Sequence, residues 1–294
     1  MVAGSGFRIQ PENASFVAPT AVGYGSDAKA PTFATPGESG ATLFCPYSSG
    51  APVIDIIIPS FNCVDLLTAA IESVRSGTEL GWKAYVIDNA SEDGAREWLR
   101  QQPDLEVVYN DTNEGFSKAT NTGIALSMRN PMSQWTVLMN NDVVVPKGWD
   151  KKMLKALKKH GNRRIKICSP LLFKPRGKHT IGDQAKRAIK RWGKNSMVDA
   201  DWVGFCCTFV HKRVWQRYGL LRDDRRFWHW GSDEEFCRRV LPPYGSDGWR
   251  CCYYTGVGVM HFHSAARKYV ASKKAKERRE SQGGSQGEGQ RCTR

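Results

Sequence analysis

The segment Trp135–Pro146 has the sequence Trp-Thr-Val-Leu-Met-Asn-Asn-Asp-Val-Val-Val-Pro. Its first five residues form an apolar run that predicts a buried strand of a parallel sheet. The run stops at Asn140–Asp142, and in an open α/β sheet ligands bind beyond the carboxyl ends of the strands. A carboxylate flanked by amides suits a divalent cation and the phosphates it neutralises. Taken alone, the same three residues also fit an ordinary Asn/Asp turn.

Outside this segment, composition limits the class of protein. The 294 residues are 40% hydrophobic and 24% charged, which is ordinary for one large or two small globular domains. No apolar run approaches the length of a membrane span, and the first residues lack a signal-peptide pattern. Nine cysteines, with no CxxC spacing and mostly within apolar segments, argue against a disulfide framework. We therefore expect a reduced, cytoplasmic protein.

The charge is strongly positive and uneven. The net charge is +14, and residues 147–194 hold 17 Lys and Arg against two acids. Such a field attracts polyanions, including anionic lipid, acidic glycans, nucleic acid and nucleotide diphosphates. It predicts a peripheral contact with the inner face of an anionic membrane, although a solvated basic face would have the same composition.

Three regions follow from the change of composition along the chain. Residues 1–52 are rich in small residues and predict an extended or disordered leader. Residues 53–264 form the predicted domain, which divides after Pro146 into halves 53–146 and 147–264. Residues 265–294 are basic and rich in Gly and Gln, which predicts a mobile tail.

Strands and helices alternate through the first half of this domain. The alternation predicts an α/β fold with a mostly parallel central sheet flanked by helices. Predicted strands are 54–58, 83–87, 106–109, 135–139, 165–173, 203–210, 248–254 and 257–263, and later helices are 150–160 and 213–218.

Polar residues follow four of these strands, at 60–62, 88–89, 113–116 and 140–142. Together they would line one edge of the sheet and form a crevice for a nucleotide. There Asp88 could accept the imide N–H of a uracil, and Phe61 could offer an aromatic surface. Asp142 would bind a divalent metal, Mn²⁺ or Mg²⁺, completed by His261 or His263. A histidine near a core strand is also commonly structural.

Several blocks, quoted in chain order, carry a resemblance. They are Ile-Ile-Ile-Pro-Ser-Phe-Asn, Val-Ile-Asp-Asn-Ala-Ser, Asn-Glu-Gly-Phe-Ser-Lys-Ala-Thr-Asn, Leu-Met-Asn-Asn-Asp-Val, Trp-Gly-Ser-Asp-Glu-Glu-Phe and Val-Met-His-Phe-His. From about residue 53 to 264 the chain resembles family 2 glycosyltransferases with the GT-A fold. It is most similar to the rhamnosyl- and galactofuranosyl-transferase-like members that extend surface polysaccharides.

The resemblance implies roles by position. It makes residues 53–146 the nucleotide-binding half and 147–264 the acceptor side. Implied contacts to the donor nucleotide are Pro59, Ser60, Phe61, Asp88, Asn89, Asn113, Gly115 and Asn141. Implied contacts to the acceptor are Gly204, Phe205, Trp230 and Glu234. Asp233 matches the general base, although an acid at a helix start is also a common cap. Asn140 replaces the first acid of the family's metal motif, so Asp142 must carry most of the ligation.

The implied function is inverting transfer of a sugar from a nucleotide-diphospho-sugar to a glycan or glycolipid hydroxyl. UDP is the favoured nucleotide, with dTDP and GDP as other candidates, and no specific nucleic acid is expected. An alternative is an inactive GT-A scaffold that binds polyanions, which the basic segment and Asn140 favour. A nucleotidyltransferase is disfavoured because Pro59–Asn62 has no Gly-rich phosphate loop.

Overall fold

The computed structural model describes residues 53–173, 187, 189–227 and 231–262. The strands in these ranges are β1 Val53–Ser60, β2 Gly81–Asp88, β3 Leu105–Tyr109, β4 Ser133–Met139, β5 Val143–Val144, β6 Ile165–Phe173, β7 Met197–Ala200, β8 Cys207–His211 and β9 Arg250–His261. The helices discussed below are α1 Val64–Gly77, α2 Ala95–Leu99, α3 Phe116–Ser127, α4 Trp149–Lys159, α5 Lys212–Tyr218 and α6 Ser232–Val240.

The described strands form one sheet in the order β3-β2-β1-β4-β8-β6-β9-β5, with β7 beside β9. The first four strands are parallel, as the sequence predicted. β8 runs antiparallel to β4 and β6, and β6 is parallel to β9, so the second half is mixed. These directions bring the ends of β1, β2, β4 and β9 and the start of β8 to one edge. The predicted fold class is confirmed.

Helices cover both faces of the sheet because its central strands are apolar on both sides. Ile54, Ile56 and Ile58 of β1 pack in one cluster with α1 and α4. Ile57 points the other way and packs in a second cluster with α3, α5 and α6. All four isoleucines are completely buried. Six of the seven described cysteines are also buried, which confirms their predicted core location.

Lys212 fastens the sheet at the edge opposite the polar strand ends. Its Nζ lies 2.6 Å from Asp55 Oδ2 and donates to the carbonyls of Ser127 and Asn130 at 2.5 and 2.8 Å. Asn130 Nδ2 donates to the other Asp55 oxygen at 2.7 Å. The ammonium group therefore joins α5, β1 and the end of α3.

Two predicted strand boundaries were wrong. The strand predicted at 203–210 begins at Cys207, because the hydroxyl of Thr208 donates to the carbonyl of Gly204 at 2.8 Å and closes a turn before it. The two strands predicted at 248–254 and 257–263 are one continuous strand, β9, whose pairing with β6 shifts register between Pro170 and Leu171.

Some predictions concern residues outside the described ranges. These are the leader 1–52, the tail 265–294, Trp230 and His263. In the described parts of the chain, no helix combines the length and apolar character that crossing a bilayer requires.

Candidate active site

β2 ends on Asp88, whose carboxyl group is 0% exposed. Arg96 Nε, from α2, donates to Asp88 Oδ2 at 2.6 Å, and the backbone N–H of Ser91 reaches the same oxygen at 3.3 Å. Asp88 Oδ1 has no hydrogen-bond partner among the described residues. A buried carboxylate oxygen without a partner is costly. The site therefore presents one acceptor atom that suits an N–H group of a ligand.

Asn89 holds the loop between β3 and α3. Its Nδ2 donates to the carbonyl of Gly115 at 3.1 Å and to Asn113 Oδ1 at 3.2 Å. Its Oδ1 accepts from Asn110 Nδ2 at 2.8 Å and from the backbone of Glu114 at 3.3 Å. The side-chain amide is thus occupied within the protein. Asn89 shapes the loop that carries two other predicted donor contacts.

Asn141 ties the end of β4 to the end of β1. Its Nδ2 donates to Ser60 Oγ and to the carbonyl of Asn62, both at 3.2 Å. Ser60 is buried and Pro59 is half-buried, whereas the ring of Phe61 is 43% exposed. Phe61 therefore presents a free aromatic surface at this edge, where the sequence predicted one.

Asp142 and His261 meet where β5 pairs with β9. Nε2 of His261 lies 3.1 Å from Asp142 Oδ1 and 3.3 Å from Asn140 Nδ2. The Val143–His261 pairing and a 3.0 Å hydrogen bond from the N–H of Phe262 to the Asp142 carbonyl fix the two backbones. Burial lowers the pKa of His261, but the hydrogen bonds to Asp142 and Cys206 outweigh it and raise the pKa to about 10.

This pair fits a divalent cation that is shared with a ligand. A carboxylate oxygen and a neutral imidazole nitrogen are donors that Mn²⁺ accepts, and here they are adjacent. A bound cation would take the place of the proton that His261 shares with Asp142. Among the described residues no group of three or more His, Cys, Asp or Glu could hold a metal. The described protein therefore supplies two such donors, and phosphate oxygens or water would have to supply others.

Asp233 lies in the first turn of α6, directly after Ser232. Gly231 precedes the helix with φ 81°, a left-handed conformation that glycine accepts without strain. Asp233 Oδ1 accepts the N–H of Glu234 at 2.9 Å. Burial, the largest influence, raises the pKa of Asp233, while the backbone N–H groups of Glu234 and Phe205 lower it. The net pKa lies above its usual value, so the carboxylate is a stronger base than an exposed aspartate.

Three consecutive residues, Gly204–Cys206, join Asp233 to the Asp142–His261 pair. A Cβ placed on Gly204 would lie 3.7 Å from Asp233 Oδ2, and the N–H of Phe205 donates to that carboxylate. The carbonyl of Cys206 accepts the N–H of Asn140 at 2.9 Å, and its thiol contacts His261. The turn that replaces the start of the predicted strand therefore connects the two acids of the site.

The predicted acceptor residues differ in what they expose. The ring of Phe205 is only 2% exposed and packs edge-on against Phe236, with centroids 6.0 Å apart. Its side chain belongs to the core, and its backbone is the part that faces Asp233. Glu234 is half-buried and forms an ion pair with Arg238 at 2.7 Å. Gly204 is half-buried, and its backbone lies directly beside the Asp233 carboxylate.

Two residues of the site were not predicted. Arg96 orients Asp88. The sequence feature that could have indicated this role is a basic residue at the start of the helix that follows the Asp88 strand. Cys206 contacts the site mainly through its backbone carbonyl, so the type of its side chain could not indicate that it belongs there.

Solved structures place the fold in the GT-A class of glycosyltransferases. The GalNAc-T7 structure with UDP, GalNAc and Mn²⁺ has a TM-score of 0.56 at 16% identity, over 73% of this chain and 44% of that one. A Pyrobaculum calidifontis mannosyltransferase with GDP-Man and Mn²⁺ has a TM-score of 0.53 at 17% identity, over 75% and 60% of the two chains.

The family follows from the sequence itself. The glycosyl transferase family 2 model matches residues 55–211, more than half of the chain. The chain belongs to this family. TuaG of Bacillus subtilis, named for glycosyl transfer in teichuronic acid biosynthesis, is 30% identical over 77 residues. That match covers 25% of this chain and 31% of TuaG, so the chain aligns with less than a third of this relative.

Proposed function

We propose that the protein is an inverting glycosyltransferase that moves a sugar from a nucleotide-diphospho-sugar to a hydroxyl of a glycan or glycolipid. The observation that carries the proposal is the Gly204–Cys206 turn, which contacts both Asp233 and the Asp142–His261 pair. A base and a diphosphate-binding pair must lie on either side of one anomeric carbon in a single displacement. A shared turn between them supports that arrangement.

UDP is the favoured nucleotide because of Asp88. The imide N–H of uracil needs one acceptor, and Asp88 Oδ1 is one buried acceptor without a described partner. Guanine presents two neighbouring N–H donors and would use both carboxylate oxygens, but Arg96 occupies Oδ2. Thymine carries the same imide, so dTDP stays a candidate. Phe61 would offer its exposed ring to the nucleoside.

Asp142 and His261 would hold Mn²⁺ or Mg²⁺, as the Mn²⁺ in the GalNAc-T7 and mannosyltransferase structures supports. When bound, the ion would act as a Lewis acid that stabilises charge on the leaving nucleoside diphosphate. His263, outside the described residues, is a candidate further ligand. Asn140 contributes a neutral amide beside the pair.

Asp233 is the proposed general base. It would take the proton of the acceptor hydroxyl while the hydroxyl oxygen bonds to the anomeric carbon. The bond from that carbon to the diphosphate oxygen breaks at the same time, and its electron pair leaves with the nucleoside diphosphate. Because attack and departure take opposite faces, the anomeric configuration inverts. Gly204 and Asp233 are both partly exposed, so the acceptor would approach the carboxylate on this side.

Calorimetric titration of UDP, dTDP and GDP, with and without Mn²⁺, tests the donor half of the proposal. We expect UDP to bind in the presence of Mn²⁺ and to bind more weakly without it. Folded protein that binds none of the three nucleotides would remove the transferase proposal.

A second candidate is a polyanion-binding scaffold at an anionic membrane. It is favoured by five exposed lysines on α4, Lys151, Lys152, Lys155, Lys158 and Lys159. Only Lys151 has an acidic partner in the described part of the chain, Glu79 at 3.6 Å. Steeply salt-dependent polyanion binding without nucleotide binding would single out this candidate. If the protein binds both a nucleotide and polyanions, the lysine face of α4 would instead support peripheral membrane contact of a cytoplasmic transferase.

A further inference from the structure

Two arginines on the segment before α6 have no part in the mechanism above. Arg222 and Arg226 are exposed and lie on the segment that leads to α6. Their guanidinium carbons lie 5.4 and 5.3 Å from the centroid of the Phe227 ring, within the range of a cation–π contact. One ring therefore contacts both cationic groups.

Phe227 is fixed between the two halves of the site. The ring is only 8% exposed, and its carbonyl accepts the buried hydroxyl of Ser117 at 2.9 Å. Ser117 lies in the first turn of α3, two residues after Gly115 of the predicted donor loop. On the other side, a Cβ on Gly231 would lie 3.9 Å from Phe227 Cδ1. Gly231 directly precedes the helix that carries Asp233.

The start of this segment is also anchored. Asn121 of α3 donates through Nδ2 to the carbonyl of Leu221 at 2.9 Å and accepts the N–H of Leu221 at 3.0 Å. Both ends of the segment from Leu221 to Phe227 are thus bonded to α3. The two arginines therefore lie on a segment whose ends are fixed to α3 by hydrogen bonds.

The charge of the pair is largely uncompensated. Arg222 has one acidic neighbour, Asp224, at 3.5 Å with both side chains more than half exposed. Arg226 has no acidic partner among the residues that the structure describes. Paired guanidinium groups are suited to carboxylate and phosphate oxygens, which accept two parallel N–H bonds.

We propose that Arg222 and Arg226 bind a carboxylate or phosphate group of the acceptor, and so select anionic acceptor glycans. This rests on the proposed function for the role of Asp233. The donor diphosphate and a divalent cation would be held by the Asp142–His261 pair. The arginines instead contact Phe227, which lies against Gly231 at the start of the helix that carries Asp233.

The test compares binding of matched oligosaccharides by calorimetry. The probes are a galacturonic acid pentamer, its neutral methyl ester, and a ribitol phosphate pentamer, which separates carboxylate from phosphate recognition. We expect wild type to bind at least one charged pentamer about tenfold or more tightly than the methyl ester, the effect of one or two charge-assisted hydrogen bonds. Arg226→Gln and Arg222→Gln should each remove most of that preference.

Two further variants distinguish a specific anion-binding site from non-specific electrostatic attraction. Arg225→Gln removes one exposed charge from the same segment, and Arg225 makes no described contact with the Phe227 ring. It should keep the preference within about twofold, because Arg225 does not contact the ring that positions the other two guanidinium groups. Arg226→Lys keeps the charge but not the planar fork, so it should retain part of the preference. Melting curves verify that each variant is folded.

Three results would overturn the proposal. One is equal binding of charged and neutral pentamers by wild type. Another is an equal loss in Arg225→Gln, which would mean diffuse attraction. The third concerns Arg226→Gln. If this variant lost UDP affinity, measured with Mn²⁺, but bound the pentamers as wild type does, the two arginines would be assigned to donor binding. If neither wild type nor any variant bound UDP, but the preference for charged pentamers still required Arg226, the transferase proposal would fail. The proposed anion-binding site would then still be supported.

Discussion

At the scale of single residues, the proposed role of Asp88 in nucleotide choice depends on one atom. Arg96 fixes which carboxylate oxygen is used internally, and the other oxygen is left as a buried acceptor. Asp88→Asn should reverse this chemistry, because the amide oxygen would pair with Arg96 and the NH₂ group would face the base. An NH₂ group repels the imide N–H of uracil but donates to N3 of cytosine.

We therefore expect Asp88→Asn to weaken UDP binding by roughly 10- to 100-fold, the cost of losing a hydrogen bond to a charged group. Wild type should bind CDP poorly, and the affinity of the variant for CDP should rise relative to its affinity for UDP. Calorimetry with both nucleotides measures the switch, and the exposed Asp111→Asn serves as the control. An unchanged UDP to CDP ratio would show that Asp88 does not contact the base.

Asp233 can be tested by a change that keeps its shape. Asp233→Asn should bind UDP normally but lose about 10²–10⁴ in the transfer rate, the usual contribution of a general base. Asp65→Asn, in the exposed first turn of α1, controls for loss of a helix-terminal charge. Transfer by Asp233→Asn within a few-fold of wild type would leave the carboxylate with only a capping role.

The pH dependence gives an independent check on Asp233. Burial raises its pKa above 3.8, and the base is active only when deprotonated. The acid limb of the pH profile of kcat/KM should therefore lie above that of an ordinary aspartate, with transfer falling as pH falls through the raised pKa. A raised folded pKa also means that the ionised group weakens the fold at neutral pH. Asp233→Asn should thus melt no lower than wild type there, and a lower melting temperature would contradict this.

At the scale of elements, the Lys212–Asp55 pair holds α5, β1 and the end of α3 together. Lys212→Met should lower the free energy of unfolding by about 3–5 kcal/mol, because it leaves Asp55 buried without its cation. Burial already raises the pKa of Asp55, and Lys212 opposes that rise. The variant should therefore unfold more readily as pH increases and Asp55 is forced to ionise. Urea denaturation at several pH values measures both effects.

Two controls make the Lys212 result specific. Lys118→Met removes an exposed i,i+4 partner of Glu114 and should change stability by no more than about 0.5 kcal/mol. The double variant Asp55→Asn, Lys212→Met should recover part of the loss, because it removes the buried charge as well as its partner. Equal destabilisation by the double and single variants would show that packing, not charge, dominates.

The elements also show which parts of the site the sequence could predict. Residues 54–58 form a continuous apolar run, so β1 and its polar end were evident from composition alone. The acid at 142 and the histidine at 261 or 263 were predicted to share one metal site, and the structure brings Asp142 and His261 to 3.1 Å. The Gly204–Cys206 turn was mistaken for a strand, because its apolar residues pack in the core while its backbone groups bond to Asp233 and Asn140. Side-chain patterns carry no signal for such backbone contacts.

At the scale of the whole molecule, the helix that carries the basic face, α4, begins at the sheet edge opposite the site. The start of α4 packs where α1 ends and β2 begins: Trp149 Nε1 donates to Thr78 at 3.1 Å, and Asp150 accepts the N–H of Leu80 at 2.7 Å. Those residues lie at the opposite edge from Ser60 and Asp88. A membrane bound through α4 would therefore leave the active edge facing the solvent, within reach of long acceptor chains.

The last prediction concerns this orientation. Replacing the five exposed α4 lysines by Gln should abolish co-sedimentation with vesicles of 30% phosphatidylglycerol at low salt, since each basic residue near an anionic surface contributes about 1 kcal/mol. UDP binding should not change, because the face is remote from Asp88. The control set is five exposed basic residues on other elements, Arg100, Lys118, Arg213, Arg217 and Arg238. If their replacement reduced vesicle binding equally, net charge and not the α4 face would hold the protein at the membrane, and the active edge would have no preferred orientation.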